Sequence, residues 1–313
     1  MTEASVALWT LMAGPSRPAR VLGIDAGTVY LQVDPLAAAD SRDGRDHQGA
    51  VLALLAPGSV RLPIGIVLPA AAADLVPVFV AGSPVSRGEI SIGWGAITLA
   101  GVRWPVLQWW NPSVPVLDLP TPSITSGQPI TPGQLITPGQ LITPGQLIMS
   151  DGLVASDTWT GPLPQPGDPA TDLTPELASG VAALSMGDAE SAVQQLIGVG
   201  SGLIPTGDDV LVGALAALAA WAPDSLARQG FTVAVAGSAN RTTRISAALL
   251  RSAVTGFAFP ELTRYLTALS TGEPAVDQAL AELSAVRNGS GSAIALGVTH
   301  QLRALQTITP RVS

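Results

Sequence analysis

A run of helical length, Val210 to Ala222 (VLVGALAALAAWA), carries no charged residue and almost no polar one. A helix that is apolar all round has no side to show water, so it must lie inside its domain. The run is too short to cross a bilayer, which needs about 20 residues. The chain must therefore build other elements around it. Composition permits this: 47% of the 313 residues are hydrophobic and only 12% are charged, against a usual charged share of about 25%. The apolar stretch Ile64 to Ala81 is broken by Pro69, Asp74 and Pro77. Met1 to Ala13 lacks the basic start of a secretion signal. The chain reads as soluble and cytoplasmic, with no membrane partner.

The pattern around the buried run is helical from Thr171 onward. Thr174 is placed to cap a helix that begins with Pro175 and carries Glu176 near its positive end. Further helices are expected at Asp188 to Ile197, Asp208 to Trp221, Asp224 to Ser238, Thr242 to Thr255, Pro260 to Leu269, Pro274 to Arg287 and Ser292 to Gln306. The first 120 residues instead carry short apolar segments between Gly, Pro and Asp punctuation, the mark of a small sheet or barrel. Strands are expected at Val29 to Val33, Ala50 to Leu55, Ile64 to Leu68, Leu75 to Val80, Ile90 to Thr98 and Val114 to Leu119. Trp104, Trp109 and Trp110 form an aromatic cluster that suits core packing or a partner surface. Between the halves, ITPGQL occurs three times in tandem from Ile130 to Leu147. The expected class is α+β: a β-rich domain over 1–120, a Pro/Gly-rich linker or insertion over 121–170, and a helical domain over 171–313.

Absent residue types narrow the chemistry. There is no Cys, which removes disulfides, thiolate zinc sites, iron–sulfur clusters and a cysteine nucleophile. All 15 basic residues are Arg, which removes Schiff-base chemistry and a phosphate-loop lysine. His47 and His300 are the only histidines, so a three-His metal site cannot form in one chain. His47 sits in the polar loop Asp40 to Gln48 and suits a solvated role; His300 suits a structural one. A net charge of −8 argues against a nucleic-acid partner. Carboxylates, guanidiniums, hydroxyls and backbone amides remain.

Those groups concentrate just before the buried run, in IGVGSGLIPTGDDVLVG (Ile197 to Gly213). Glycines at 198, 200 and 202 leave a closely approachable backbone. A sheltered helix start behind them attracts small anions such as phosphate or carboxylate. On this reading Gly200, Ser201, Gly202, Thr206 and Gly207 bind substrate, and Asp208 and Asp209 are the candidate catalytic acids. Asp208 could hold a cation such as Mg²⁺ that bridges to the anion. The alternative is a capping box, with Thr206 capping the helix and Asp209 reaching back to its amide. A second segment, Asn240 to Ser246 (NRTTRIS), places Arg241 and Arg244 one turn apart, beside Thr242, Thr243 and Ser246. Guanidiniums take carboxylate or phosphate oxygens in a bidentate fork, although a solvated helix face accounts for the same pattern. A third, Asn288 to Ser292, suits a left-handed helix end with Ser290 capping the next helix, or a second amide cradle.

The run Gly200 to Asp209 (GSGLIPTGDD) resembles the signature of bacterial proteins formerly grouped as a domain of unknown function and associated with a subunit of oxamate carbamoyltransferase, the AllH-like family. The Thr242, Thr243, Ile245 and Ser246 helix and the Gly289-Ser290-Gly291 turn resemble that family in the expected order, over roughly Leu177 to Leu305. The N-terminal half and the ITPGQL repeats depart from it. The resemblance implies a transferase subunit that works with other carbamoyltransferase subunits in allantoin and purine nitrogen catabolism, with carbamoyl phosphate and oxamate as the exchanged small anions. Two other readings stay open: a non-catalytic scaffold subunit, or a Mg²⁺-dependent hydrolase or kinase-like enzyme using Asp208 and Asp209.

Overall fold

The computed structural model describes residues 1–25, 27–35, 49–70, 90–120, 174–272, 275–286 and 289–308. His47 and its loop, the strand expected at Leu75 to Val80, the three ITPGQL repeats, the 121–170 linker and Asn288 lie outside these residues.

The architecture is α+β, with a barrel first and helices after it. The strands are β1 (Thr2–Ser5), β2 (Arg17–Asp25), β3 (Thr28–Val33), β4 (Ala50–Leu55), β5 (Gly65–Val67), β6 (Ile90–Gly93), β7 (Ala96–Leu99) and β8 (Val102–Trp110). A short helix α1 (Trp9–Ala13) follows β1. The strands close in the order β1-β5-β4-β3-β2-β6-β7-β8, and parallel pairing of β8 with β1 completes the ring. Closure leaves no strand edge to satisfy.

Two sequence expectations change here for identifiable reasons. The segment Ile90 to Thr98 is two strands rather than one. Trp94 (φ 51°) and Gly95 (φ 68°) both take the left-handed conformation, which is the two-residue turn whose twist matches a hairpin. Val114 to Leu119 is not a strand. Its amides serve helix ends instead: Leu117 N–H donates to the Ala220 carbonyl and Val114 N–H to that of Gly256, both at 2.8 Å. Carbonyls in a helix's last turn have no partner within the helix, and this extended segment supplies one for Ala220.

The helices are α2 (Pro175–Ser185), α3 (Ala189–Leu196), α4 (Thr206–Trp221), α5 (Leu226–Ser238), α6 (Arg244–Val254), α7 (Pro260–Thr271), α8 (Ala275–Ser284) and α9 (Ser290–Ile308). Thr174 caps α2 by accepting from Leu177 N–H, with Pro175 first and Glu176 in the first turn. The apolar run forms α4, which is buried everywhere except Thr206 and Val212. It crosses α9 at glycines on both sides. A Cβ on Gly213 would lie 2.0 Å from the Ile294 carbonyl oxygen, and one on Gly297 would lie 1.9 Å from that of Val210. Among the described residues no helix is long and apolar enough to cross a membrane.

Met1–Pro120 and the described helices fall in one compact unit. The alternation along β3 and β4 shows how. Val29, Leu31, Val33, Leu52 and Leu54 face the barrel interior, with Ile66, Ile90, Ile92, Ile97 and Leu99. Tyr30, Val51, Ala53 and Leu55 face the other way and pack with Ile245 and Ala248 of α6. Each strand is thus buried on both faces, which is why β4 is apolar throughout and β3 is apolar except for Thr28 and Gln32. The tryptophan cluster is mainly core-directed. Trp104 and Trp109 pack on the barrel core, and Trp109 meets Trp9 edge to face at 4.9 Å.

Candidate functional site

The three segments singled out in the sequence converge on the first turn of α4. Gly198 joins the loop to the turn before α6: its φ is +74°, and a Cβ there would lie 2.3 Å from the Arg241 carbonyl oxygen. Asp208 sits at the centre, with no exposed surface. Its Oδ1 accepts from the Gly198 N–H at 2.8 Å. Its Oδ2 accepts from the Ser246 hydroxyl at 2.6 Å and from the Thr242 hydroxyl. A buried carboxylate is tolerated when its lone pairs are met in this way. Thr243 adds a further tie, donating to the Leu203 carbonyl at 2.6 Å and capping α6 by accepting from Ser246 N–H at 3.0 Å.

Several expected roles are corrected by this geometry. Thr206 is the first residue of α4, not its cap, and the preceding Pro205 has no side-chain capping bond, so the capping box does not form. The amides at the helix start are also not open to an anion. Gly207 N–H donates to the Val199 carbonyl at 2.8 Å and Asp208 N–H to that of Pro205 at 3.0 Å. The physical reason is the loop itself, which folds back so that its own carbonyls reach the helix start. The cap of the next helix is Thr243. Arg241 and Arg244 do not share a helix face, because Arg241 ends a 3₁₀ turn and Arg244 opens α6. The Arg241 guanidinium donates to the Gln194 carbonyl at 2.8 Å.

The remaining candidates are spread out. Gly200, Ser201 and Gly202 lie on the exposed surface of the loop. Asp209 is 5% exposed. With Ser290, Leu62 and Phe259 it lines a small apolar cavity of about 30 Å³. Asp208 does not suit a divalent cation: amide and hydroxyl hydrogens face both of its oxygens, where a metal would need lone pairs. Among the described residues no group of three His, Asp or Glu side chains gathers to hold a metal.

The open chemistry lies next door. A polar cavity of about 390 Å³ sits between β4, the end of α5, the 3₁₀ turn and α6. Asn240, Thr242, Arg244 and Arg251 line it. Among the described residues neither Arg244 nor Arg251 has an ion-pair or hydrogen-bond partner for its guanidinium. Arg251 was not a sequence candidate. Its signal was its spacing from Arg244: seven residues apart in a helix returns to one face.

His300 is structural, as expected. Its Nδ1 lies 2.6 Å from the Ser185 hydroxyl of α2. Burial, helped by the positive charge of Arg303, lowers its pKa to about 4. The folded chain therefore holds the neutral imidazole, while the unfolded chain takes up a proton below about pH 6.5. Stability from this site is complete above pH 6.5 and is lost as pH falls toward 4, by about 2–3 kcal/mol. Urea unfolding at pH 7.5 and 4.5 measures it, and His300→Gln should remove that part of the difference. An unaltered pH dependence in the variant would count against the assignment.

Residues 196–302 match the family model described as oxamate carbamoyltransferase subunit AllH. No curated protein and no solved structure matches the chain. The matched span runs from the end of α3 into α9, so it contains the Asp208 cluster, both cavity arginines and Ser290, and none of the barrel. The segment that builds most of this site is thus the part of the chain that is similar to the oxamate carbamoyltransferase subunit AllH.

Proposed function

We propose that this chain is a subunit of an oxamate carbamoyltransferase-like assembly serving allantoin and purine nitrogen catabolism. In it, Arg244 and Thr242 receive a small anionic substrate, carbamoyl phosphate or oxamate. The observation that carries the reading is a polar cavity lined by two guanidiniums that have no partner among the described residues, its helical walls lying in the family-matched segment. Carbamoyl transfer builds negative charge on the carbonyl oxygen and on the departing phosphate. Donors already in place stabilise such charge without reorganising, and a guanidinium offers two at once. No lysine, thiol or metal ligand set is required of this chain, and partner subunits contribute the rest of the active site.

Asp208 then serves as a positioning residue. By holding Thr242, Ser246 and Gly198 together it fixes the entrance of α6, and with it Arg244 at the cavity wall. Titration calorimetry with oxamate and carbamoyl phosphate tests the site. Arg244→Gln should weaken binding about tenfold or more, the worth of a charge-assisted hydrogen bond. Because Arg244 is exposed, the unfolding midpoint should barely move. Equal affinity for the parent and the variant would remove Arg244 from the site.

A further inference from the structure

The 390 Å³ cavity does not end at Arg251. A second cavity, of about 460 Å³, begins at the same residue and shares Val51 of β4 with the first. Its walls are more apolar: Leu8 and Leu11 from the start of the chain, Ile64 beside β5, and Phe257 after α6, with Arg17 of β2 beside them. The floor of both cavities is one helix face. Arg244, Ala247 and Arg251 line the first, and Ala248, Arg251, Ser252 and Thr255 line the second. These positions follow the 3.6-residue repeat as i, i+3, i+4, i+7, i+8 and i+11. A rise of 1.5 Å per residue makes the floor about 16 Å long. The groove therefore has a hydrogen-bonding end at Asn240 and Thr242, a cationic middle at Arg251 and an apolar end at Leu11 and Phe257.

Small residues keep the floor low. Ala247 and Ala248 present only methyl groups, so the groove is open where larger side chains would fill it. Its two parts together are far larger than an anion of the size of oxamate requires, and they fall in the range of sites for larger organic ligands.

We propose that this groove binds an organic oxyanion bearing an apolar arm. The carboxylate or phosphate lies between Arg244 and Arg251, and the arm lies along α6 in the second cavity. The inference rests on the reading that the Arg244 end accepts an anion, and it adds the class of molecule that fills the remainder. Carboxylate and phosphate heads are both compatible with guanidinium, so the tests use both.

The full-length chain is titrated calorimetrically with straight-chain carboxylates from acetate to octanoate and with the matching alkyl phosphates. Affinity should rise about fourfold for each methylene buried, over the first several carbons. The series with the tighter shortest member identifies the head group. Arg251→Gln should weaken every member about tenfold or more while leaving the gain per methylene intact. Thr10 is exposed and lines the apolar end. Thr10→Trp should abolish the gain for long arms and leave acetate unaffected, without disturbing the fold. An affinity independent of chain length in the parent overturns the proposal, as does a chain-length gain that survives Thr10→Trp. Oxamate binding with a flat series would leave the carbamoyl-transfer reading standing and remove this one. A rising series without oxamate binding would do the reverse.

Discussion

Gly213→Val is expected to cost at least about 4 kcal/mol of folding stability, at the extreme end of single substitutions and a large part of a typical total of about 5–15 kcal/mol. The cause is backbone against backbone. Even a Cβ at Gly213 would stand 2.0 Å from the Ile294 carbonyl oxygen, and no rotamer change relieves that contact. To accept it, α4 and α9 must separate along their length, and α4 has no exposed side on which to adjust. Gly297→Val should act alike, because its Cβ would meet the Val210 carbonyl oxygen at 1.9 Å. Gly237 in α5 supplies the control: nothing lies within 4 Å of a Cβ there, so Gly237→Ala should stabilise by about 0.5–1 kcal/mol. Urea midpoints of the three variants decide the matter. A Gly213→Val protein as stable as its parent would show that the helices do not cross so closely.

Asp208→Ala carries the next largest effect, about 3–5 kcal/mol of lost stability. Removing the carboxylate takes the acceptor from the buried Ser246 hydroxyl and from the half-buried Gly198 amide and Thr242 hydroxyl, and each donor left unmet costs about 1–3 kcal/mol. Asp208→Asn retains one acceptor oxygen and should fall between the alanine variant and the parent. The measurement that separates positioning from direct substrate contact is affinity in the protein that remains folded. Loss of anion binding in parallel with loss of structure fits positioning. Full stability with lost binding would mean that Asp208 touches the ligand itself.

The sequence exposed which segments come together more readily than what each residue does there. The glycine run, the Asn240 to Ser246 segment and the Ser290 turn do meet at the start of α4, and the buried nature of that helix was legible from VLVGALAALAAWA alone. The roles of the individual residues were not. Thr206 looks like a cap only if the helix begins one residue later; Pro205 takes the cap position and starts it sooner. The open amides were lost to Val199, a long-range consequence of three left-handed glycines that no local pattern reveals. Arg251 passed unnoticed because one arginine in an amphipathic helix looks solvated until the opposite wall is known, and that wall is Val51, about two hundred positions away. The barrel was visible only as short apolar segments. β2 and β8 escape the pattern because Arg and Pro interrupt both, and Trp104, Trp109 and Trp110 of β8 follow no clean period.

The two-sided burial of β3 and β4 has one more consequence. Neither half of the polypeptide is a finished object. Excising the matched 196–302 span would strip Ile245 and Ala248 of their cover, and excising the barrel would bare Tyr30 and Leu55. Anyone wishing to produce either fragment alone would have to recode that seam with hydrophilic side chains first, or expect an insoluble product.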